Sequence, residues 1–190
     1  MKYLQIVDHH ATTIVSTDDL KTHLRITYTD DDTYIAGLEK AAVHRLEEFT
    51  NLLLINTTII QYGFEFSDLE TLFKGPYYTG SSAVVSSYVN SAWLDITNKC
   101  EIITASLPMR IYQKADESLP SPDDVKQKYK VSYQVGWRTP SEIPEPIIQA
   151  IKIMVADMYE NRQSVIVGKQ VSEIPKTAEY LMMPYKIQTL

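Results

Sequence analysis

The chain has 190 residues, of which 44% are hydrophobic and 22% are charged. This composition is that of an ordinary folded domain and excludes a largely disordered protein. The formal net charge is -6 at pH 7, which argues against a protein whose main task is to hold DNA, because such proteins neutralise phosphates with clustered Lys and Arg. No segment approaches the ~18 apolar residues of a membrane span, so we expect no membrane partner. We also expect synthesis in the cytoplasm.

The single cysteine, Cys100, rules out an intrachain disulfide and fits a reducing compartment. It lies in the segment Lys-Cys-Glu-Ile-Ile, which is typical of a strand. A cysteine in that setting is usually a small buried hydrophobe, so we predict a structural role rather than a catalytic one.

Two helices are predicted in the N-terminal part of the chain. Ser16 is suited to cap a short first helix, with Asp18 and Asp19 in its opening turn. A second helix is predicted from about residue 32 to residue 51. Its inward positions recur at steps of three and four and are Ile35, Leu38, Ala42, Leu46 and Phe49. We assign to its solvent side Glu39, Lys40, His44, Glu47 and Glu48.

The period changes from 3.6 to 2 after Asn51, which indicates strands. One strand is predicted from the alternation of Ile60, Tyr62, Phe64 and Phe66 with polar residues. Another is predicted from the alternation of Tyr129, Val131, Tyr133, Val135 and Trp137. Weaker strand candidates span residues 83–89, 101–104 and 109–113. We expect one antiparallel sheet, inserted at about residues 56–142.

A long apolar helix is predicted from about residue 144 to residue 163. Pro146 suits its first turn, and the segment before it is held extended. Its apolar band is wide, and few of its positions are clearly polar. A helix that is apolar nearly all round is packed nearly all round, either at the centre of its own domain or against a neighbouring subunit.

Three blocks of this sequence resemble the head-tail connector family of tailed bacteriophages, also called adaptor or head-completion proteins. The segment IPEPIIQAIKIMVADMYENRQSVIVG, residues 143–168, is similar to the family pattern VPEPI followed by an apolar helix, WYENRE and VVVG. Residues 17–32, with KTHLRI and DDD, resemble the family's opening. Residues 178–186, AEYLMMPYK, resemble its closing VEALLxPYR. The blocks occur in family order, whereas residues 56–142 show no clear match.

The resemblance implies a structural virion protein rather than an enzyme. Family members form rings of about a dozen copies, in which one face of each subunit meets a different face of the next. Such a ring lies beneath the portal protein, extends the DNA channel without sequence-specific binding, and joins the packaged capsid to the next connector or tail component. The implied location is the head-tail interface of the virion, after assembly in the host cytoplasm.

The implied fold is α+β, a single domain over residues 1–190 in which helices at about 17–51 and 144–163 frame the inserted sheet. We predict no catalytic, cofactor or metal site. Candidate subunit or portal contacts are Ile153, Tyr159, Arg162, Tyr180, Leu181, Met182 and Met183. Arg162 follows the apolar helix, where it either caps the helix end or pairs with a carboxylate of the same or the adjacent subunit.

The tail, residues 168–190, is interrupted by Pro175 and Pro184 and has room for a helix at about 177–183. So short a helix needs a partner surface, so it either folds back on the core or docks on another protein. We predict docking on the portal or on a neighbouring subunit. On that prediction, removal of residues 176–190 leaves the remaining fold intact.

Two alternatives come from other functional classes. A metal-dependent hydrolase or nucleic-acid-processing enzyme could use Asp8, His9, His10 and a carboxylate of the Asp30–Asp32 run, but no further ligands stand at a recognisable spacing. An EF-hand is also disfavoured, because the run lacks the required order of ligands. The second alternative, a DNA-binding packaging protein, is disfavoured by the net charge.

Overall fold

The computed structural model describes residues 3–8, 12–77, 83–104, 106, 108–162 and 174–187. Contacts divide the chain into two compact units. A sheet unit comprises residues 1–10, 55–138 and 187–190, and a helical unit comprises residues 11–54 and 139–186. The sequence analysis drew no boundary inside the chain, and a single folding domain stays a prediction. No helix within the described residues has the length and apolar character needed to cross a membrane.

The helical unit contains α1 (Thr17–Leu24), α2 (Asp32–Thr50), α3 (Glu145–Glu160) and α4 (Lys176–Met182). The cap predicted for α1 is present, since the Asp19 amide donates to Ser16 Oγ at 3.1 Å. α3 packs against each of the other three helices. Its Pro144 and Pro146 lie at the N-terminal end, as predicted. Ile147, Ala150, Ile151 and Val155 are fully buried along it.

Two glutamates of α2 that we assigned to the solvent side are buried, so that assignment is wrong. Glu39 is 3% exposed and its Oε1 accepts from the amides of Ile14 and Val15 at 2.8 and 3.3 Å. Glu47 is 6% exposed and accepts from the Leu54 amide at 2.8 Å. Each carboxylate satisfies backbone donors of the segment before or after the helix, which a helical periodicity alone does not reveal.

The tail helix α4 packs against α3. Ala178 and Met182 are both fully buried, and their spacing of four places them on one side of α4. Tyr180 and Met183 are 75% and 51% exposed. Of the two alternatives for the tail, folding back on the core holds for one side of α4, so we no longer expect removal of residues 176–190 to leave the remaining fold intact.

The sheet unit contains a five-stranded antiparallel sheet with the order β1-β2-β7-β3-β4. Its strands are β1 (Tyr3–Asp8), β2 (Thr57–Gly63), β7 (Tyr129–Val135), β3 (Val84–Val89) and β4 (Ala92–Asp95). A separate hairpin pairs β5 (Cys100–Ile103) with β6 (Arg110–Gln113). The described residues thus form two sheets, not the one expected. β1 and β4 were missed, because neither combines a clean alternation with flanking turn signals.

The side of β2 that faces the core is the opposite of the one predicted. Thr57, Ile59, Gln61 and Gly63 are buried, whereas Ile60 and Tyr62 lie on the other face. Gln61 is tolerated inside because its Nε2 donates to the carbonyls of Asp68 and Thr71, both at 3.0 Å. Tyr62 is held outside by ring contacts with Tyr3 and Trp93. The alternation on β7 is as predicted.

Cys100 is buried, as predicted, at the start of β5. Its thiol donates to the Ile96 carbonyl at 3.4 Å, and burial raises the pKa of the thiol to about 11. The fold class is α+β with antiparallel sheets, as the sequence predicted.

Candidate functional site

Five side chains meet in the helical unit where α2 begins and α3 ends. Asp31 immediately precedes α2, and Tyr159 belongs to the last turn of α3. The other members are Tyr28, Tyr34 and Arg162. We call these five residues the Asp31 cluster.

One carboxylate oxygen is the centre of the Asp31 cluster. Asp31 Oδ2 accepts from the Tyr159 hydroxyl at 2.5 Å, from Arg162 Nη2 at 2.8 Å and from the Tyr28 hydroxyl at 3.4 Å. The hydroxyls of Tyr28 and Tyr159 are 2.9 Å apart. This network ties the segment before α2 to the end of α3.

The guanidinium of Arg162 also lies over two aromatic rings. Its Cζ is 4.7 Å from the ring centroids of both Tyr34 and Tyr159, and the two rings are 6.1 Å apart. The side chain remains 49% exposed, against 22% for Asp31. A cation over an aromatic face at such a site contributes roughly 0.5–1 kcal/mol, and an exposed ion pair contributes a similar or smaller amount.

The pKa shifts of Asp31 and Tyr159 indicate a structural contact between these two side chains. The hydrogen bond from Tyr159 is the main cause that lowers the pKa of Asp31; slight burial opposes it, and Arg162 adds to the lowering. Donation to Asp31 in turn raises the pKa of Tyr159. Asp31 is therefore held as the anion and Tyr159 as the neutral phenol, so neither of these two groups is suited to exchange a proton near neutral pH.

Tyr159 and Arg162 are thus brought together, and the carboxylate we expected for Arg162 belongs to the same chain. The contact is a single hydrogen bond, so the bidentate geometry is not used. Asp31 was not predicted as a member of this site, since the sequence analysis considered it only as part of the Asp30–Asp32 run. The signal available in the sequence was the acidic run Asp30–Asp32 together with the cation of Arg162.

The other predicted contacts lie on α3 and in the region of α4, and they differ in exposure. Ile153 is half-buried on α3, and Leu181 is half-buried on α4. Tyr180 and Met183 are exposed, whereas Met182 is fully buried. Met182 therefore exposes no surface that could form an interface. The roles of the other four residues stay predictions.

The residues proposed for the metal enzyme are not assembled by the described part of the chain. Asp8 ends β1, opposite Thr58, while His9 and His10 lie outside the described residues. No group of three or more potential metal ligands occurs among the residues that the structure describes. Nothing in this part of the chain favours the enzyme over a structural protein.

Comparisons with known protein families and with curated proteins find no match. Comparison with solved structures finds chains of gene transfer agent (GTA) particles that share the fold over nearly their whole length. A chain of the neck of an empty GTA particle, computed with C6 symmetry, has a TM-score of 0.77 at 17% identity, covering 99% of this chain and 97% of that chain.

Two further GTA structures give the same result. A chain of the virion of a native particle has a TM-score of 0.74 at 17% identity, covering 98% of this chain and 96% of that one. A chain of the neck of a native particle, computed with C12 symmetry, has a TM-score of 0.70 at 15% identity, covering 99% and 97%. At such identities the likeness establishes the fold, which is that of a component of a phage-like particle's neck.

Proposed function

We propose that this chain is a structural subunit of the neck of a phage-like particle, where copies form a ring beneath the portal. The ring extends the DNA channel and links the packaged capsid to the tail or to the next connector. DNA passes through its lumen without sequence-specific binding, and the acidic balance of the chain limits adhesion. The protein belongs to the virion and is assembled in the host cytoplasm.

The likeness to the neck chain of the empty GTA particle is the observation that supports this proposal most strongly. It extends over 99% of this chain and 97% of the other, with a TM-score of 0.77. A shared fold does not by itself imply a shared function. However, the three sequence blocks resemble the connector family independently of the fold, and their most specific residues, Tyr159 and Arg162, form the Asp31 cluster. The neck structures computed with C6 and C12 symmetry support a homo-oligomeric ring.

The outer side of α4 is our candidate for the portal or neighbour contact. Tyr180 and Met183 expose large apolar surfaces there, while Ala178 and Met182 hold the helix from the other side. Ile153 on α3 is the candidate for contact between copies. Large apolar side chains left half-covered or exposed are the kind that an assembly buries.

The ring is tested by mass and by imaging. Static light scattering of the purified full chain measures its mass, alone and after incubation with filled heads that lack this protein, and electron microscopy images any large species. Rings of many copies, free or on the heads, support the proposal. A protein that stays monomeric in solution and leaves the heads unchanged contradicts it.

The docking surface is tested with a double substitution and a matched control. Tyr180→Lys with Met183→Lys places two charges on the outer side of α4, so attachment to filled heads should be lost while the melting transition is unchanged. The control, Lys176→Glu with Thr177→Lys, changes two exposed residues at the start of the same helix and should leave attachment intact. Normal attachment of the first variant would remove this surface from the proposal.

A further inference from the structure

We propose that the two open edges of the five-stranded sheet, β1 and β4, pair between neighbouring copies, so that the sheets join around the ring. This inference rests on the proposed ring and names the surface through which its subunits contact each other. It concerns a pairing of backbone edges, whereas the contacts considered above are side chains of α3 and α4.

Within the residues that the structure describes, neither outer strand has a partner strand on its outer side. β1 pairs only with β2, and β4 only with β3, among the strands of the described residues. An uncovered edge presents a row of unpaired amides and carbonyls and is a template for another strand. Soluble proteins usually protect such edges with charges, prolines or bulges. Each edge strand ends in an aspartate, Asp8 or Asp95, and β1 has an irregular register between Ile6 and Asp8. The rest of each strand, Tyr3–Val7 and Ala92–Leu94, contains neither a charged residue nor a proline.

Large apolar side chains are exposed at the two edges on both faces of the sheet, beside the polar Gln5 of β1 and Asp95 of β4. On one face, Tyr3 of β1 is 56% exposed and lies opposite Tyr62, whose ring is 6.1 Å from that of Trp93 on β4. On the other face, Ile6 of β1 and Leu94 of β4 are 44% and 49% exposed. If β1 of one copy joins β4 of the next with Tyr3 opposite Trp93, Leu94 lies opposite Leu4 and diagonal to Ile6. Aromatic side chains then meet on one face of the sheet and aliphatic side chains on the other. Cross-strand pairs of these kinds stabilise sheets.

The strand directions agree with a ring. All neighbouring strands of the five-stranded sheet are antiparallel, and because the number of strands is odd, β1 and β4 run in the same direction. Neighbouring subunits in a ring of about a dozen copies differ by a small rotation, so neither the strand direction nor the face of the sheet is reversed. The joint is therefore parallel, and it uses two different edges, as head-to-tail closure requires.

A second copy of this chain is the occupant that accounts for both edges at once. A two-fold dimer would pair β1 with β1, or β4 with β4, and would leave the other edge open. A foreign strand would likewise cover one edge only. The ring covers both edges with complementary surfaces of the same protein.

Cross-linking tests the joint directly. A double variant, Ile6→Cys with Leu94→Cys, carries one thiol at each edge on the same face of the sheet. Treated with a short bismaleimide, it should give a ladder of covalent species extending beyond the dimer. Each single variant alone should remain monomeric, and a mixture of the two should stop at the dimer. The native Cys100 should stay silent, because it is 6% exposed and burial raises the pKa of its thiol to about 11.

A control variant, Glu101→Cys with Leu94→Cys, keeps one edge thiol and moves the other to an exposed position on the small hairpin. It should give no ladder. Rings visible by microscopy in a double edge variant that yields no ladder would overturn this inference and leave the ring proposal standing. A dimer from either single variant would overturn it in favour of two-fold pairing. Absence of rings in every condition would overturn both proposals.

A charge at the edge gives an independent measurement. Leu94→Lys should raise the protein concentration at which rings appear by more than about tenfold, because a lysine at an edge opposes strand pairing in a dry joint. Ile103→Lys, at a 37% exposed position on β5, is the matched control and should leave that concentration unchanged. An equal response of the two variants contradicts the joint.

Discussion

Replacing Met182 by alanine tests whether the tail helix belongs to the core of the helical unit. Met182 is fully buried in α4, which packs against α3, and Ala178 one turn earlier is also fully buried. The substitution removes three heavy atoms from this packing and leaves a cavity, because the surrounding helices relax only in part.

The expected loss of stability is about 3 kcal/mol, within the range of roughly 2–5 kcal/mol measured for buried Met, Leu or Ile to alanine. For a chain of this size, each kcal/mol lowers the melting temperature by about 2–4 °C. Met182→Ala should therefore melt roughly 6–12 °C below the native protein.

Met183, which directly follows α4, is the matched control, since it is 51% exposed. Met183→Ala should change the stability by no more than about 0.5 kcal/mol. Thermal melting followed by circular dichroism, with urea unfolding as a second measurement, compares the two variants. Equal effects of the two substitutions, or a Met182→Ala protein that melts like the native one, would refute the assignment of α4 to the core.

Three further predictions concern the helical unit. Ile153→Asp should weaken ring formation without unfolding the monomer. Met154→Asp should unfold the monomer, because Met154 is 4% exposed. Normal ring assembly of Ile153→Asp, measured by light scattering, would remove Ile153 from the interface. Arg162→Lys keeps the charge but loses the planar group over two tyrosines, so we expect urea unfolding to show a small loss of stability. Unchanged assembly of this variant would confine the role of Arg162 to its pairing within the chain. Burial raises the pKa of Glu39 above its ordinary value of 4.5, so its contribution to stability falls as the pH rises from that value through the raised pKa. The free energy of unfolding of Glu39→Gln, measured at pH 4 and pH 7, should therefore rise relative to that of the native protein at the higher pH. A relative rise at the lower pH would reverse the assigned direction of the pKa shift.

The parts of the fold that the sequence predicted are those specified by local periodicity. The apolar residues of α2 and α3 recur at helical spacing, and those of β7 alternate. Such patterns specify a helix or a strand whatever the element packs against, so these elements could be predicted from the sequence alone. β1 could not be found in this way. It is paired in register with β2, more than fifty residues later, and its own residues show no clean alternation.

The errors about buried polar residues share one physical cause, which is that these side chains are placed by partners outside their own helix or strand. Gln61 is buried because two carbonyls of the following loop accept its amide hydrogens. Glu39 is buried because two backbone amides donate to it. In each case the residue type suggests solvent, and only the folded backbone supplies the compensating hydrogen bonds.

The Asp31 cluster shows the same limit at the candidate site. The sequence left open whether Arg162 caps the helix end or pairs with a carboxylate, and it does not distinguish Asp30, Asp31 and Asp32 as partners. Asp31 is selected because it immediately precedes the first residue of α2, where its Oδ2 lies within reach of both Tyr159 and Arg162. Lys21 instead pairs with Asp32 at 2.8 Å. Adjacent carboxylates thus have different partners, and the choice follows from the position of each along the start of the helix.

The two sides of α4 resolve the alternatives that the tail left open. Ala178 and Met182 are buried, whereas Tyr180 and Met183 are exposed, so folding back on the core leaves an apolar surface available to a partner. Deletion of residues 176–190 would remove both sides together, and a failure to complete heads would then have two causes. Substitutions confined to Tyr180 and Met183 separate them, because the buried side continues to hold the helix in place. A helix fixed to its own unit also presents its outer side in one orientation, which lowers the entropy lost on docking.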